Sequence, residues 1–437
     1  MTHLSKADIQ QIFDAQKTYF FTQETLDIEF RKQQLKKLRQ AVLDHSEDIF
    51  TALELDLGKP REMVQIAEID SVVDEIDIML ENIDEWIKDI SVPTPASFGP
   101  ADSLVRREAF GVNYIISPFN YPFNLTFAPL IGAIAGGNTA IIKPAETTPH
   151  SSKIIKKIID AAFAPEYICV IEGGLEENKI LLELPFDFIF FTGSPRVGSI
   201  VMQAAAKNLT PVALELGGKS PFIILEDADL DKAVESLGFG KFINCGQTCV
   251  APDYVYVHKN VKDALLTKLK AYLSSNFGEE YKKLGKLVSQ QQVQKLAQNI
   301  EATQEKIAYG GRYDVENRHF EPTLIDDAQW NDPIMQEEIF GPIVPIVTFE
   351  NVAEISHNVN KYHPKPLAAY VFTQDEKVGQ DLINAIPSGD AELNGSFMHV
   401  LSPYLPFGGV GTSGLGSYHG KYSIETFTHP KSLIIYP

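Results

Sequence analysis

The stretch YIISPFNYPFNLTFAPLIGAIAGGNTAII, residues 114–142, decides the fold. Tyr114-Ile115-Ile116 is a short apolar run and reads as a strand. Residues 122–135 read as a helix, and Thr139-Ala140-Ile141-Ile142 as the next strand. The alternation continues with helices at 150–163, 176–184 and 197–207. Strands fall between them at 168–171, 188–191 and 212–216. Apolar runs alternating with amphipathic helices predict βαβ units and a parallel sheet. Ligands of such sheets sit beyond the carboxyl ends of the strands. A second α/β region follows, with strands at 223–225 and 254–257 and helices at 230–242 and 261–273. Upstream, residues 1–90 are helical in pattern. There the basic segment 31–38 reads as a solvated helix face. Residues 92–101 carry three prolines and a glycine, a turn-rich break. Residues 103–111 read as an extended arm.

The 437 residues suggest two or three domains at about 150 residues each. Apolar residues are 44% and charged residues 22%. That balance is ordinary for a globular enzyme and excludes disorder, coiled coil and collagen. The net charge of −20 repels phosphate backbones and anionic lipid heads, so a nucleic-acid partner is not expected. Three cysteines (Cys169, Cys245, Cys249) form no disulfide framework and point to a reducing cytoplasm. Residues 1–20 hold no continuous apolar core, so no signal peptide is expected. The longest apolar stretch, 127–135, is far short of the ~20 residues of a membrane span.

Several motifs are decoys. Gly409-Val-Gly411-Thr-Ser-Gly414 has the form GxGxxG, but it follows prolines and leaves no room for a βαβ unit. It reads as a flexible loop. Gly218-Lys219-Ser220 ends like a P-loop, yet Ala213 stands where the first glycine belongs. No zinc or serine-hydrolase signature is present, and no metal is expected.

Other residues carry chemistry. Thr192-Gly193-Ser194 closes an apolar strand just before a helix, where backbone N–H groups can hold a phosphate. Cys249 follows Gly246-Gln247-Thr248, a loop suited to an open site, although a lone cysteine is often a small buried hydrophobe. Glu215 has apolar residues on both sides, where burial raises a carboxyl toward a general base, or else pairs it in a salt bridge. Asn120, pinned by Pro118 and Pro122, reads as an Asx-type cap or an aimed amide.

Together these residues resemble the NAD(P)-dependent aldehyde dehydrogenase superfamily over nearly the full chain. The similarity is closest to its class 3, fatty- and aromatic-aldehyde branch. It rests on PFNYPFNL at 118–125, GNTAIIKPAETTP at 137–149, FTGSPRVG at 191–198 and LELGGKSP at 214–221. GQTCVAPDY at 246–254, QEEIFGPIVPI at 336–346 and PFGGVGTSGLGSYHGK at 406–421 complete it. The resemblance implies Cys249 as nucleophile, Glu215 as general base and Asn120 as an oxyanion-hole amide. It places Lys143 and Glu146 at the adenosine ribose. Thr192, Gly193, Ser194 and Gly198 fall near the pyrophosphate, and Glu338 and Phe340 at the nicotinamide. Phe119 stands where many members have Trp. Pro195-Arg196 and Asn394-Gly395-Ser396 are also unusual, and they bear on cofactor preference and substrate shape.

The implied fold is α/β. Residues 1–92 and 113–215 would form a Rossmann-type parallel-sheet cofactor domain, and 216–421 an α/β catalytic domain. Residues 93–112 and 422–437 would form a small β bridging element. There the segment 423–427 is expected to pair as a strand with the extended arm. Its edges invite a partner, so a homodimer is expected. The implied reaction is oxidation of a medium- or long-chain or aromatic aldehyde to the acid, with NAD favoured and NADP possible. It runs through a thiohemiacetal and a thioester. Alternatives are transfer of the acyl group to coenzyme A or phosphate, and a non-catalytic protein on the same fold, which would be expected to lose Cys249 or Glu215. If 245–249 forms one helical turn, Cys245 lies beside Cys249 and could form a regulatory disulfide.

Overall fold

The structure is a computed structural model that describes residues 4–437. From residue 6 to residue 86 the chain is mostly helical, as its pattern predicts, and it then enters β1 (Ile90–Val92). The extended arm is β2 (Asp102–Ala109). Then follow β3 (Val112–Ile116), β4 (Thr139–Lys143), β5 (Ile168–Val170), β6 (Phe188–Thr192) and β7 (Val212–Glu215). The second region contains β8 (Pro221–Ile224), β9 (Tyr254–His258) and β10 (Ile307–Tyr309). A small hairpin joins β11 (Tyr313–Asp314) to β12 (His319–Phe320). It continues with β13 (Thr323–Ile325), β14 (Ile343–Phe349), β15 (Ala368–Phe372) and β16 (Asp390–Leu393). The chain ends with β17 (Gly414–Leu415) and β18 (Thr428–Ile435).

The first sheet has the order β17-β7-β6-β3-β4-β5. Its five strands from β3 to β7 are parallel, and β17 runs antiparallel at the edge. Alternation explains its two faces. Ile115, Ile142 and Phe190 enter the large core, while Tyr114, Ile141 and Phe191 pack on the other face with Ile9 and Phe13 of the first helix. The helix Asn124–Gly136 is apolar all round and accordingly buried along its length from Thr126 onward. Strand order reverses between β3 and β6, so a crevice opens at their carboxyl ends. The second sheet, β10-β13-β14-β9-β8-β15-β16, is parallel except for β10. The third sheet is β1-β2-β18, antiparallel, with β2 and β18 paired along their whole lengths.

Three expectations need correction. Arg31 is not solvated. Its guanidinium is buried and donates to the carbonyls of Thr25, Leu26 and Ala135, tying the second helix to the core, while Lys36 and Lys37 are exposed. The segment 423–427 is not a strand. The helix Lys421–Thr426 occupies it, because Phe427 must turn inward against Gly132 and Phe190, and pairing begins only at Thr428. The 409–414 segment is not a flexible loop. Ser413 is fully buried, and its carbonyl accepts from Leu216 N–H. A Cβ on Gly414 would lie 2.6 Å from the Leu214 carbonyl, so glycine is what permits this backbone-on-backbone packing against β7. No helix among the described residues is long and apolar enough to cross a membrane.

Candidate active site

Two cavities meet at Cys249. One, of about 1240 Å³, lies over the carboxyl ends of β3, β4, β6 and β7. The other, of about 490 Å³, opens between the helix Ser71–Trp86 and the chain near Phe397 and Phe407. Cys249 lines both.

The loop carrying Cys249 is held by its backbone. Asn244, Cys245 and Gly246 are successively left-handed, at φ 53°, 56° and 76°. A Cβ on Gly246 would collide with the Gly341 carbonyl, so only glycine fits there. These angles break the helical turn that would have set Cys245 beside Cys249. Cys245 is instead 1% exposed, with Lys241 as its charged neighbour. All three cysteines are free. The Cys249 sulfur faces its own N–H and that of Val250, and burial pushes its thiol up to about 12. The charges of Glu338 and Glu215 add to that rise.

Glu215 ends β7 and is 2% exposed. Neither carboxyl oxygen has a hydrogen-bond partner, so the salt-bridge reading fails. Burial first, then repulsion from Asp390, holds its proton well above the usual carboxyl range. Asn120 does not cap its own turn. Its Nδ2 donates across to the Gln247 carbonyl at 3.1 Å, toward the cysteine loop.

Two buried ion pairs brace the site, and neither is visible in the motifs. Lys59 Nζ contacts Glu68 at 2.5 Å and donates to the Asn120 carbonyl at 2.6 Å. The other Glu68 oxygen accepts from the N–H groups of Phe123 and Asn124. The pair therefore fixes the 118–124 turn from below. Lys219, the decoy P-loop lysine, pairs with buried Asp253 and donates to the carbonyls of Ile334 and Glu337. Asp253 accepts in turn from Ile339 N–H at 3.0 Å. That clamp grips both sides of Glu338. Glu338 lies so close over Gly217 that a Cβ there would sit 2.1 Å from its carboxyl. Its pKa is raised to about 8, mainly by burial. Phe340 packs edge-on against Phe119 at 5.7 Å. The only sequence signal for either pair was a lysine flanked by apolar or glycine-rich chain.

In the larger cavity, Lys143 ends β4 and donates to Pro144 O, with Glu146 at 3.3 Å. Ser194 caps the helix Pro195–Ala206 by accepting from Val197 N–H. A Cβ on Gly198 would lie 2.6 Å from Leu216, so this glycine lets the helix approach β7. Thr192 Oγ1 is buried without a partner. A helix start, a buried cation and an unpaired hydroxyl around one crevice fit a dinucleotide. Among the described residues, no group of three or more His, Cys, Asp or Glu could hold a metal ion.

Glu75 lines the smaller cavity and accepts from Gly420 N–H at 2.7 Å. Burial raises its pKa from 4.5 to about 7. The folded state therefore holds a proton that the unfolded chain has released, and stability falls as pH rises from about 4.5 through about 7. Glu75→Gln keeps the acceptor and removes that loss. At pH 8 it should stabilise by up to about 3 kcal/mol, with little change at pH 4. Thermal unfolding at the two pH values measures this, and equal effects at both would refute it.

The chain matches the aldehyde dehydrogenase family over residues 1–433. It is 48% identical to the 4,4'-diaponeurosporen-aldehyde dehydrogenase of Staphylococcus aureus, over 98% of this chain and 93% of that one. It is 40% identical to the dimeric NADP-preferring aldehyde dehydrogenase of Rattus norvegicus, over 95% and 92%. A substrate-bound structure of Staphylococcus aureus AldH superposes with a TM-score of 0.96 at 47% identity, over 98% and 94%. An NAD+ complex of a Bacillus cereus aldehyde dehydrogenase gives 0.89 at 28%, over 99% and 89%. The chain belongs to the aldehyde dehydrogenase family. It is an oxidoreductase acting on the aldehyde group, in a family whose members use NAD or NADP.

Proposed function

We propose that this enzyme oxidises a medium- or long-chain or aromatic aldehyde to its carboxylate with NAD or NADP, by way of a thioester on Cys249. The observation that carries this reading is the position of Cys249 at the junction of the two cavities, with the unpaired carboxyl of Glu215 among its charged neighbours. The smaller cavity is walled by Leu125, Ala128, Val250, Phe397 and Phe407, which suits an apolar aldehyde. The larger one is the dinucleotide site, held by Lys143, Glu146, Thr192, Gly193, Ser194, Gly198, Glu338 and Phe340. The cofactor, when bound, accepts the hydride.

The protein's own groups do the rest. The Cys249 thiol, partly exposed where the cavities meet, gives its proton to solvent as its sulfur attacks the carbonyl carbon. The Asn120 amide and the Cys249 N–H stabilise the oxygen of the thiohemiacetal, where charge develops in the transition state. After hydride loss, Glu215 takes a proton from water, which hydrolyses the thioester. Residues 1–92 and 113–215 serve as the cofactor domain and 216–421 as the catalytic domain. Residues 93–112 and 422–437 form the bridge. Exposed Ile90, Ile434 and Ile435 on the edge strands β1 and β18 support a homodimer. Three free cysteines suit a cytoplasmic enzyme.

The test is to follow cofactor reduction over an aldehyde panel with NAD and with NADP. The panel includes 4,4'-diaponeurosporen-aldehyde, for which the Staphylococcus aureus relative is named. Product is analysed with and without coenzyme A. Free acid in both cases is expected, and an acyl thioester only with coenzyme A would overturn hydrolysis.

Glu146 sets part of the cofactor choice. Its carboxylate is half exposed and tied to Lys143, at the expected ribose position. It would repel a 2′-phosphate, with solvent weakening the effect. Glu146→Gln should raise the NADP-to-NAD ratio of kcat/KM by about three- to tenfold. An unchanged ratio would place that choice elsewhere.

A further inference from the structure

A buried group of side chains within electrostatic reach of Glu215 has no part in the steps above. Strand β16 opens with Asp390, and Glu392 projects from the same face two residues on. One Glu392 oxygen accepts twice from His399, from its backbone N–H at 2.8 Å and from ring Nδ1 at 2.6 Å. A carboxylate only accepts, so Nδ1 carries the proton and the ring is fixed. The other ring nitrogen, Nε2, then faces Asp390 Oδ2 across 3.9 Å. Both atoms are buried, and neither has a hydrogen-bond partner. The three side chains are only 6%, 13% and 14% exposed for His399, Asp390 and Glu392.

The start of β16 is locked to the chain that also holds Glu215. Gly389 and Asp390 donate backbone N–H groups to the carbonyls of Pro366 and Leu367. Pro366 O also accepts from Ser413 Oγ, and Gly414 pairs with Glu215 itself. Asp390 accepts from Gly408 N–H in the same glycine segment. Asp390 thus lies across the seam between the two large sheets, where its charge reaches Glu215.

The remaining titratable neighbours are few. Glu215 also acts on Cys249 and Tyr418. Asp390 also meets Tyr370. His399 also faces His419, which burial holds near a pKa of about 4 and therefore neutral in turnover. Burial raises Asp390 itself to about 6, and the nearby Glu392 charge adds to that rise.

We propose that Asp390, held by the His399–Glu392 pair, is a positioning residue for thioester hydrolysis: its negative charge makes Glu215 the stronger base. The inference rests on the reading of Glu215 as the base.

Asp390→Asn keeps the shape and removes the charge. Glu215 then gives up its proton more readily but is a weaker base. The acid limb of the kcat–pH profile should move down by about 0.5–1 pH unit. The plateau should fall about three- to tenfold. The pre-steady-state burst of reduced cofactor should be unchanged, and so should the pH profile for alkylation of Cys249 by iodoacetamide. An unmoved limb in Asp390→Asn overturns the proposal, provided Glu215→Gln stalls after one turnover. A limb that moves together with the alkylation profile overturns it too, since that marks a general disturbance of the site. If Glu215→Gln turns over normally, the reading of Glu215 fails first and this inference with it.

Discussion

Cys249→Ser should lower aldehyde oxidation by roughly 10⁴-fold or more while dinucleotide still binds. Among the residues that line the two cavities, Cys249 alone lines both, which places its sulfur where the proposed aldehyde and hydride acceptor would meet. Burial already holds the thiol neutral, with a pKa pushed up to about 12. A serine hydroxyl is far harder to ionise in the same place, so its alkoxide is out of reach near neutral pH. Cys245→Ser is the contrast and should retain most activity, since Cys245 is buried behind the loop and lines neither cavity. Steady-state rates of both variants, with dinucleotide binding measured separately, decide the matter. An inactive Cys245→Ser beside an active Cys249→Ser would reverse the two roles.

Glu215→Gln should divide the reaction at the thioester. Acylation and hydride transfer need no base at this position, so one equivalent of reduced cofactor should form quickly. Steady-state turnover should then fall by roughly 10²–10⁴-fold. The native carboxyl has no partner to lose, so the substitution leaves no other group unpaired. Its proton is held above the usual range, which makes the base form scarce in acid. Native kcat should accordingly rise with pH through that titration, and Glu215→Gln should lose the dependence. Rapid-mixing traces with mass analysis of the acylated chain test this. A full steady-state rate in Glu215→Gln would remove Glu215 from the mechanism.

Much of this architecture was legible in residues 112–216. The apolar runs at 114–116, 139–142, 188–191 and 212–216 are strands, and the order of helices between them fixes a parallel sheet. Each run is short, apolar and bounded by glycine or proline, so local chemistry alone marks it. Glu215 stood out for a similar reason, as a carboxylate set between leucines at a strand end. The same local reading failed where a distant contact overrides the pattern. Arg31 looked solvated because its neighbours are basic, yet its three acceptors include Ala135 O, 104 residues away. The 409–414 glycines looked flexible, yet they let one backbone lie directly on another.

By itself, then, the sequence determined the alternating α/β order, the glycine turn at 193 and the cysteine and glutamate proposed to carry the chemistry. Those features depend on residue type and on neighbours within one or two turns. Only the tertiary structure decided that Lys59 and Glu68 support the Asn120 turn, that Lys219 and Asp253 clamp the Glu338 segment, and that the charge of Asp390 reaches Glu215. A buried lysine reads the same in a chain whether or not a carboxylate waits for it. The partner is chosen by the packing of two sheets, and burial is what turns that proximity into a strong interaction.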